Sequence, residues 1–140
     1  MNIDLHLKLA GVLLIVLGLA HSLFGRYFKW KNELERLSLL TRQIFEVHCF
    51  FISLGVTLVG ACTLFYSSAL VGSGTLSRIV LAGFVLFWLA RLAFQVFVYD
   101  PAIWRGHRFY TFMHVIFSVF WTYLVIVYAA AWMHAGPRQT

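Results

Sequence analysis

The chain has 140 residues, of which 61% are hydrophobic and only 11% are charged. A soluble domain carries about twice that charged fraction, so the composition excludes an ordinary water-soluble globular domain. It predicts an integral membrane protein, with apolar faces turned to lipid. The net charge of +6 does not indicate nucleic-acid binding, because the basic residues lie between apolar segments rather than along one face with stacking aromatics.

Four apolar segments are long enough to cross a bilayer, which takes about 20 helical residues. The sequence predicts transmembrane helices at about 7–25, 44–70, 78–99 and 101–134. The last helix is expected to start at Pro101, with Asp100 as its cap, or after Gly106. Short connections favour an all-α membrane protein: an antiparallel, up-down bundle of four transmembrane helices forming one membrane domain over residues 1–140.

A short pattern recurs in the two halves of the chain. Arg42, His48 and Phe51 have the same spacing as Arg108, His114 and Phe117. This pattern indicates two duplicated helical hairpins.

The basic residues predict the orientation. The connections at 26–43 and 100–108 carry seven lysines and arginines, and the opposite ends carry three: Arg26, Lys29, Lys31, Arg36, Arg42, Arg105 and Arg108 against Lys8, Arg78 and Arg138. By the positive-inside rule both connections are cytoplasmic and both termini are outside. The expected location is a bacterial inner membrane.

Polar residues interrupt each apolar segment near its predicted cytoplasmic end. They are His21 in the first segment, Glu46 and His48 in the second, Arg91 and Gln95 in the third, and His114 in the fourth. Helix geometry puts them roughly 6 to 12 Å inside the membrane boundary. Ionisable groups are costly in hydrocarbon and usually face a bundle interior, so they are candidates for one functional site.

Histidines on separate helices can hold a haem or a metal ion. The sequence predicts His21, His48 and His114 as metal ligands, with Glu46 as a fourth ligand or an orienting group. For haem b, two of the three histidines would bind iron while Arg91 contacts a propionate and Gln95 lies nearby. At the level of histidines on different helices, the chain resembles membrane b-type cytochromes. The leading hypothesis is therefore electron transfer or related redox chemistry through haem b or a transition-metal ion.

Two other functions fit the same residues. The polar layer is also compatible with a metal-free proton or solute pathway, or with a membrane enzyme acting on a lipid. Alternatively, the protein is a structural subunit, in which Arg91 and Glu46 form an ion pair and the histidines join helices. The expected partners are the lipid bilayer and a membrane subunit or a second copy of the chain, and no nucleic acid. The sequence assigns no catalytic residue.

Overall fold

The structure, a computed structural model, describes residues 2–27 and 34–135. Its long helices are α1 (Ile3–Tyr27), α2 (Leu39–Phe65), α3 (Thr75–Phe97) and α4 (Arg108–His134). Within the described residues there is no strand, and four helices are long and apolar enough to cross a membrane. The prediction of an all-helical protein is confirmed, and the length and apolar composition of the four helices indicate a membrane-embedded protein.

Local capping explains why the second helix starts earlier than predicted. The Ser38 side chain accepts a hydrogen bond from the Thr41 backbone N–H at 3.2 Å, and such a cap satisfies an N–H that the first helical turn leaves unpaired. Helix α2 therefore begins at Leu39, and a separate one-turn helix, Ser67–Leu70, follows its end. Residues 28–33 of the predicted first connection lie outside the described residues.

The connection between α3 and α4 is a compact turn. The Asp100 side chain accepts a hydrogen bond from the Ala102 N–H at 2.8 Å, and Pro101 opens a short 3-10 helix, Pro101–Ile103. Gly106 then adopts a φ of 85°, a conformation that glycine takes without steric cost. Helix α4 begins at Arg108, so the structure shows the later of the two predicted starts.

The described chain divides into two compact units. The first, here called the α1–α2 unit, comprises residues 8–67. In this unit the helices touch at glycine: a Cβ added to Gly60 would lie 2.8 Å from the Gly11 carbonyl oxygen and the Ile15 nitrogen. Further along, Gly18 faces Ser53 and Thr57. The residue numbers of the contacting residues increase along α1 and decrease along α2, so the two helices are antiparallel.

The second, here called the α3–α4 unit, comprises residues 1–7 and 68–140. Leu81, Trp88 and Gln95 recur every seven residues and form the buried stripe of α3. The buried residues of α4 follow a three-four spacing: Trp121, Leu124, Val127, Tyr128 and Ala131. Trp88 stacks on Trp121, and Phe84 contacts Tyr128, so these helices are also antiparallel.

Many large apolar side chains point outward, as a lipid environment requires. Phe97, Phe65 and Phe50 are among the most exposed. In water such an apolar surface would cause aggregation, whereas its exposure to hydrocarbon has no free-energy cost.

The glycine contact gives a direct test of the α1–α2 packing. We expect Gly60→Ala to destabilise the protein by about 1 to 3 kcal/mol, because the new methyl group meets backbone atoms that cannot move aside easily. Gly55→Ala is the matched control in the same helix, where an added Cβ meets nothing within 4 Å. Thermal unfolding in detergent, followed by circular dichroism, should show a lower Tm for Gly60→Ala alone. Equal melting of the two variants would contradict the close contact.

Candidate functional site

A cavity of about 820 Å³ lies entirely within the α1–α2 unit. Its walls come from the end of α1, from residues just before α2, and from the first five turns of α2. The described residues that line it are Leu19, His21, Ser22, Leu34, Glu35, Arg42, Gln43, Phe45, Glu46, Cys49, Phe50, Ser53, Leu54 and Thr57. A volume of this size is typical of a small-molecule site.

The α2 wall changes character along the helix. Arg42, Gln43 and Glu46 lie in its first two turns, whereas Phe50 and Leu54 lie deeper. From Arg42 to Thr57 the helix rises about 22 Å. The cavity therefore has a charged and polar end near the start of α2 and a mainly apolar end further into the membrane-spanning segment.

The hydroxyl groups in the deeper part of the cavity already donate hydrogen bonds within the protein. The Ser53 hydroxyl donates to the Gly18 carbonyl oxygen at 2.5 Å, and the Thr57 hydroxyl donates to the Ser53 carbonyl oxygen at 2.8 Å. Because each hydroxyl has one proton to donate, these two hydroxyls cannot also donate a hydrogen bond to a ligand. The deep end can therefore accept an apolar group at low cost.

The polar end, in contrast, keeps its side chains available. Within residues 2–27 and 34–135, the side chains of Arg42, Gln43 and Glu46 form no hydrogen bond or ion pair with one another or with other residues. A guanidinium, an amide and a carboxylate together offer both donors and acceptors. This end can bind the polar head of a ligand.

The structure brings only some of the predicted site residues together in this unit. His21 and Glu46 line the same cavity, whereas His48 is exposed and is not among the described lining residues. The separation follows from helix geometry, because residues two apart point about 200° away from each other.

A second polar group lies in the α3–α4 unit. Gln95, which is 6% exposed, links two other predicted residues. Its Oε1 accepts a hydrogen bond from the Arg91 guanidinium at 3.2 Å, and its Nε2 lies 2.8 Å from Nδ1 of His114. The Trp104 ring stacks on the imidazole of His114 with centroids 4.0 Å apart. Arg91, Gln95 and His114 therefore form one hydrogen-bonded network.

The Arg91 guanidinium also contacts aromatic rings. It lies 4.8 Å from the ring centroid of Trp121 and 5.8 Å from that of Tyr99. Trp121 stacks in turn on Trp88 and Phe117. Cation–π contacts of this kind strengthen when water is excluded, so the aromatic residues stabilise a cation within the membrane-spanning region.

Nothing in the described residues supports a metal or haem. Among the described residues, no group of three or more histidine, cysteine, aspartate or glutamate side chains is placed to hold a metal ion. His21 and Glu46 lie in the α1–α2 unit, and His114 lies in the α3–α4 unit. The described cavity wall contains one histidine, whereas a haem with two axial imidazoles needs two. Haem or metal binding stays a prediction.

Sequence reasoning missed the role of Trp104. Thr111 donates a hydrogen bond from its hydroxyl to the Trp104 carbonyl oxygen at 2.8 Å, which fixes the turn that carries this tryptophan. Because Trp104 follows the 3-10 helix, no helical periodicity relates it to His114. The one feature of the sequence that could have indicated this contact is an aromatic residue, Trp104, three positions after Pro101.

No protein-family model, curated protein or solved structure matches this chain.

The hydrogen bonds of Gln95 should contribute to the stability of the fold, and a substitution tests this. Gln95→Leu keeps the side-chain size but removes a hydrogen-bond partner from both Arg91 and His114. We expect a loss of about 1 to 3 kcal/mol per polar group left unsatisfied. Gln43→Leu, at an exposed position of α2, is the matched control and should leave the Tm unchanged. Thermal unfolding in detergent measures both, and a Tm for Gln95→Leu equal to that of the parent would show that the network does not stabilise the fold.

Proposed function

We propose that the protein binds a lipid-soluble amphiphile of the quinone class in the α1–α2 cavity. The observation that carries this proposal is the order of residues along α2, from Arg42, Gln43 and Glu46 at one end to Phe50 and Leu54 at the other. A quinone has the same order, with a polar ring and an apolar tail.

The charges at the polar end favour an uncharged head group. Glu35 and Glu46 both line this end and would repel an anion, whereas Arg42 would repel a cation. A quinone ring is neutral and carries two carbonyl oxygens, which accept hydrogen bonds. Arg42 and Gln43 supply donors for them, and the Glu46 carboxylate can accept a hydrogen bond from the hydroxyl of the reduced form.

The deeper wall suits the tail of such a ligand. Leu19, Phe50 and Leu54 provide apolar contact, and the hydroxyls of Ser53 and Thr57 are occupied by backbone carbonyl oxygens. Binding would then place the ring near the membrane surface, where protons are available, and the tail in hydrocarbon. This placement is compatible with the redox function predicted from the sequence.

The proposal includes an arrangement of the chain in the membrane. The two antiparallel pairs, α1 with α2 and α3 with α4, support an up-down bundle of four transmembrane helices. The excess of basic residues at 26–43 and 100–108 supports cytoplasmic connections, external termini and a bacterial inner membrane. Reporter fusions at positions 30 and 75 are expected on opposite sides of the membrane. Two reporters on the same side would overturn this topology.

Haem is the second candidate for the same cavity. The observation in its favour is that His21 and Arg42 both line the cavity, where they would supply an imidazole ligand for iron and a partner for a propionate. Haem when bound would supply one-electron redox chemistry. A second axial ligand would have to come from outside the described cavity wall.

Filling the cavity tests the leading proposal. The probe is a benzoquinone with a short alkyl tail, added to the detergent-purified chain. For a ligand present at about 100 times its Kd, binding stabilises the folded state by about 2.7 kcal/mol, so we expect the Tm of the parent protein to rise. Leu54→Trp, which places a larger side chain in the cavity, should abolish the rise.

Leu58→Trp is the matched control, because Leu58 lies one turn further along the same helix, is exposed and is not among the described lining residues. It should keep the full quinone effect. A similar Tm rise in both variants, or none in the parent protein, would refute quinone binding at this cavity. An absorbance spectrum of the same sample distinguishes the second candidate, since haem would give a Soret band that sharpens on reduction.

A further inference from the structure

We propose that Arg91 forms a second site, in the α3–α4 unit, that binds the phosphate of an anionic lipid head group. This site is separate from the quinone cavity, which belongs to the α1–α2 unit. The first reason is a missing counter-charge. Within residues 2–27 and 34–135, the contacts of the Arg91 guanidinium are Gln95, Tyr99 and Trp121, none of which is acidic.

A charged group in a membrane-spanning helix is costly unless something compensates it. Arginine cannot avoid this cost, because its guanidinium stays charged in proteins. Cation–π contacts recover only part of the cost. The guanidinium therefore retains a strong affinity for an anion.

Hydrogen-bond donors outnumber acceptors around Arg91. The guanidinium has five N–H donors, and Gln95 Oε1 accepts from one of its nitrogens. The other donors of the guanidinium can bind a phosphate, which presents several charged oxygens to the planar guanidinium fork.

The position of Arg91 favours lipid as the source of the phosphate. Arg91 is partly exposed and lies six residues, about 9 Å, before the end of α3 at Phe97. Its contact with Tyr99, just beyond that end, shows that the guanidinium extends towards the end of the helix. Lipid phosphates are expected near the end of a membrane-spanning helix, and long basic side chains reach for them from within a span. The Asp100 carboxylate, next along the chain, instead accepts the Ala102 N–H.

Lipid titration followed by native mass spectrometry tests this site. Phosphatidylglycerol is the anionic probe, and phosphatidylcholine, which also has a phosphate but no net charge, is the reference. Arg91→Gln should weaken phosphatidylglycerol binding by about tenfold or more, as expected for a charge-assisted hydrogen bond. Gln95→Glu should have the same effect without removing the arginine, because the new carboxylate would provide a counter-charge at the 3.2 Å contact.

Arg78→Gln is the matched control. Arg78 lies on the same helix and also contacts a tryptophan, with its guanidinium 5.7 Å from the Trp132 ring centroid. It should retain binding within about twofold, as expected for a surface charge remote from the site. If Arg91→Gln fails to fold, Gln95→Glu carries the test alone.

Three outcomes would overturn the proposal. The first is unchanged phosphatidylglycerol binding by Arg91→Gln or by Gln95→Glu. The second is an equal loss in Arg78→Gln, which would indicate general attraction to basic residues. The third is complete displacement of phosphatidylglycerol by millimolar inorganic phosphate, which would assign the site to a soluble anion instead of a lipid.

Discussion

Hydrocarbon offers no hydrogen bonds, so every polar side chain in a membrane-spanning helix must find its partner inside the protein or in a ligand. This constraint organises both units of the structure. Gln95 is buried on α3, yet it contacts Arg91 on one side and His114 on the other. Ser53 on α2 donates to the carbonyl oxygen of Gly18 on α1, at a point where glycine lets the helices approach closely.

The two units satisfy their polar side chains in different ways, and this difference underlies the two proposed binding sites. Among the described residues of the α3–α4 unit, one amide and two aromatic rings contact Arg91, and none of them supplies a negative charge. In the α1–α2 unit, the hydroxyls of the deep wall are satisfied, whereas Arg42, Gln43 and Glu46 remain available at the polar end. Each unit therefore has polar side chains that can bind a ligand. In the α3–α4 unit the Arg91 cation suits an anion, and in the α1–α2 unit the donors and acceptors of Arg42, Gln43 and Glu46 suit an uncharged head group.

The sequence was sufficient to predict the helical class, because long apolar segments have few alternatives in a membrane. It also placed Arg91, Gln95 and His114 at a similar depth, but it grouped them in one candidate site with His21, Glu46 and His48 and did not predict their hydrogen bonds. Other features depend on geometry that periodicity does not specify. His48 lies at the same depth as Glu46 but points away from the cavity. Ser38 starts α2 through a local hydrogen bond that hydropathy does not detect, and Trp104 reaches His114 from a turn.

The most direct test of the central claim is to locate a bound quinone on the chain. A photoactivatable azido-benzoquinone with an alkyl tail would be crosslinked to the protein in lipid nanodiscs, and the labelled residues identified by peptide mass spectrometry. We predict labels on the cavity wall, at α2 residues between Arg42 and Thr57 and at the end of α1 near His21, that disappear when unlabelled quinone is added in excess. Labels spread over the lipid-facing residues of all four helices, or labels insensitive to competition, would contradict a quinone site in this cavity.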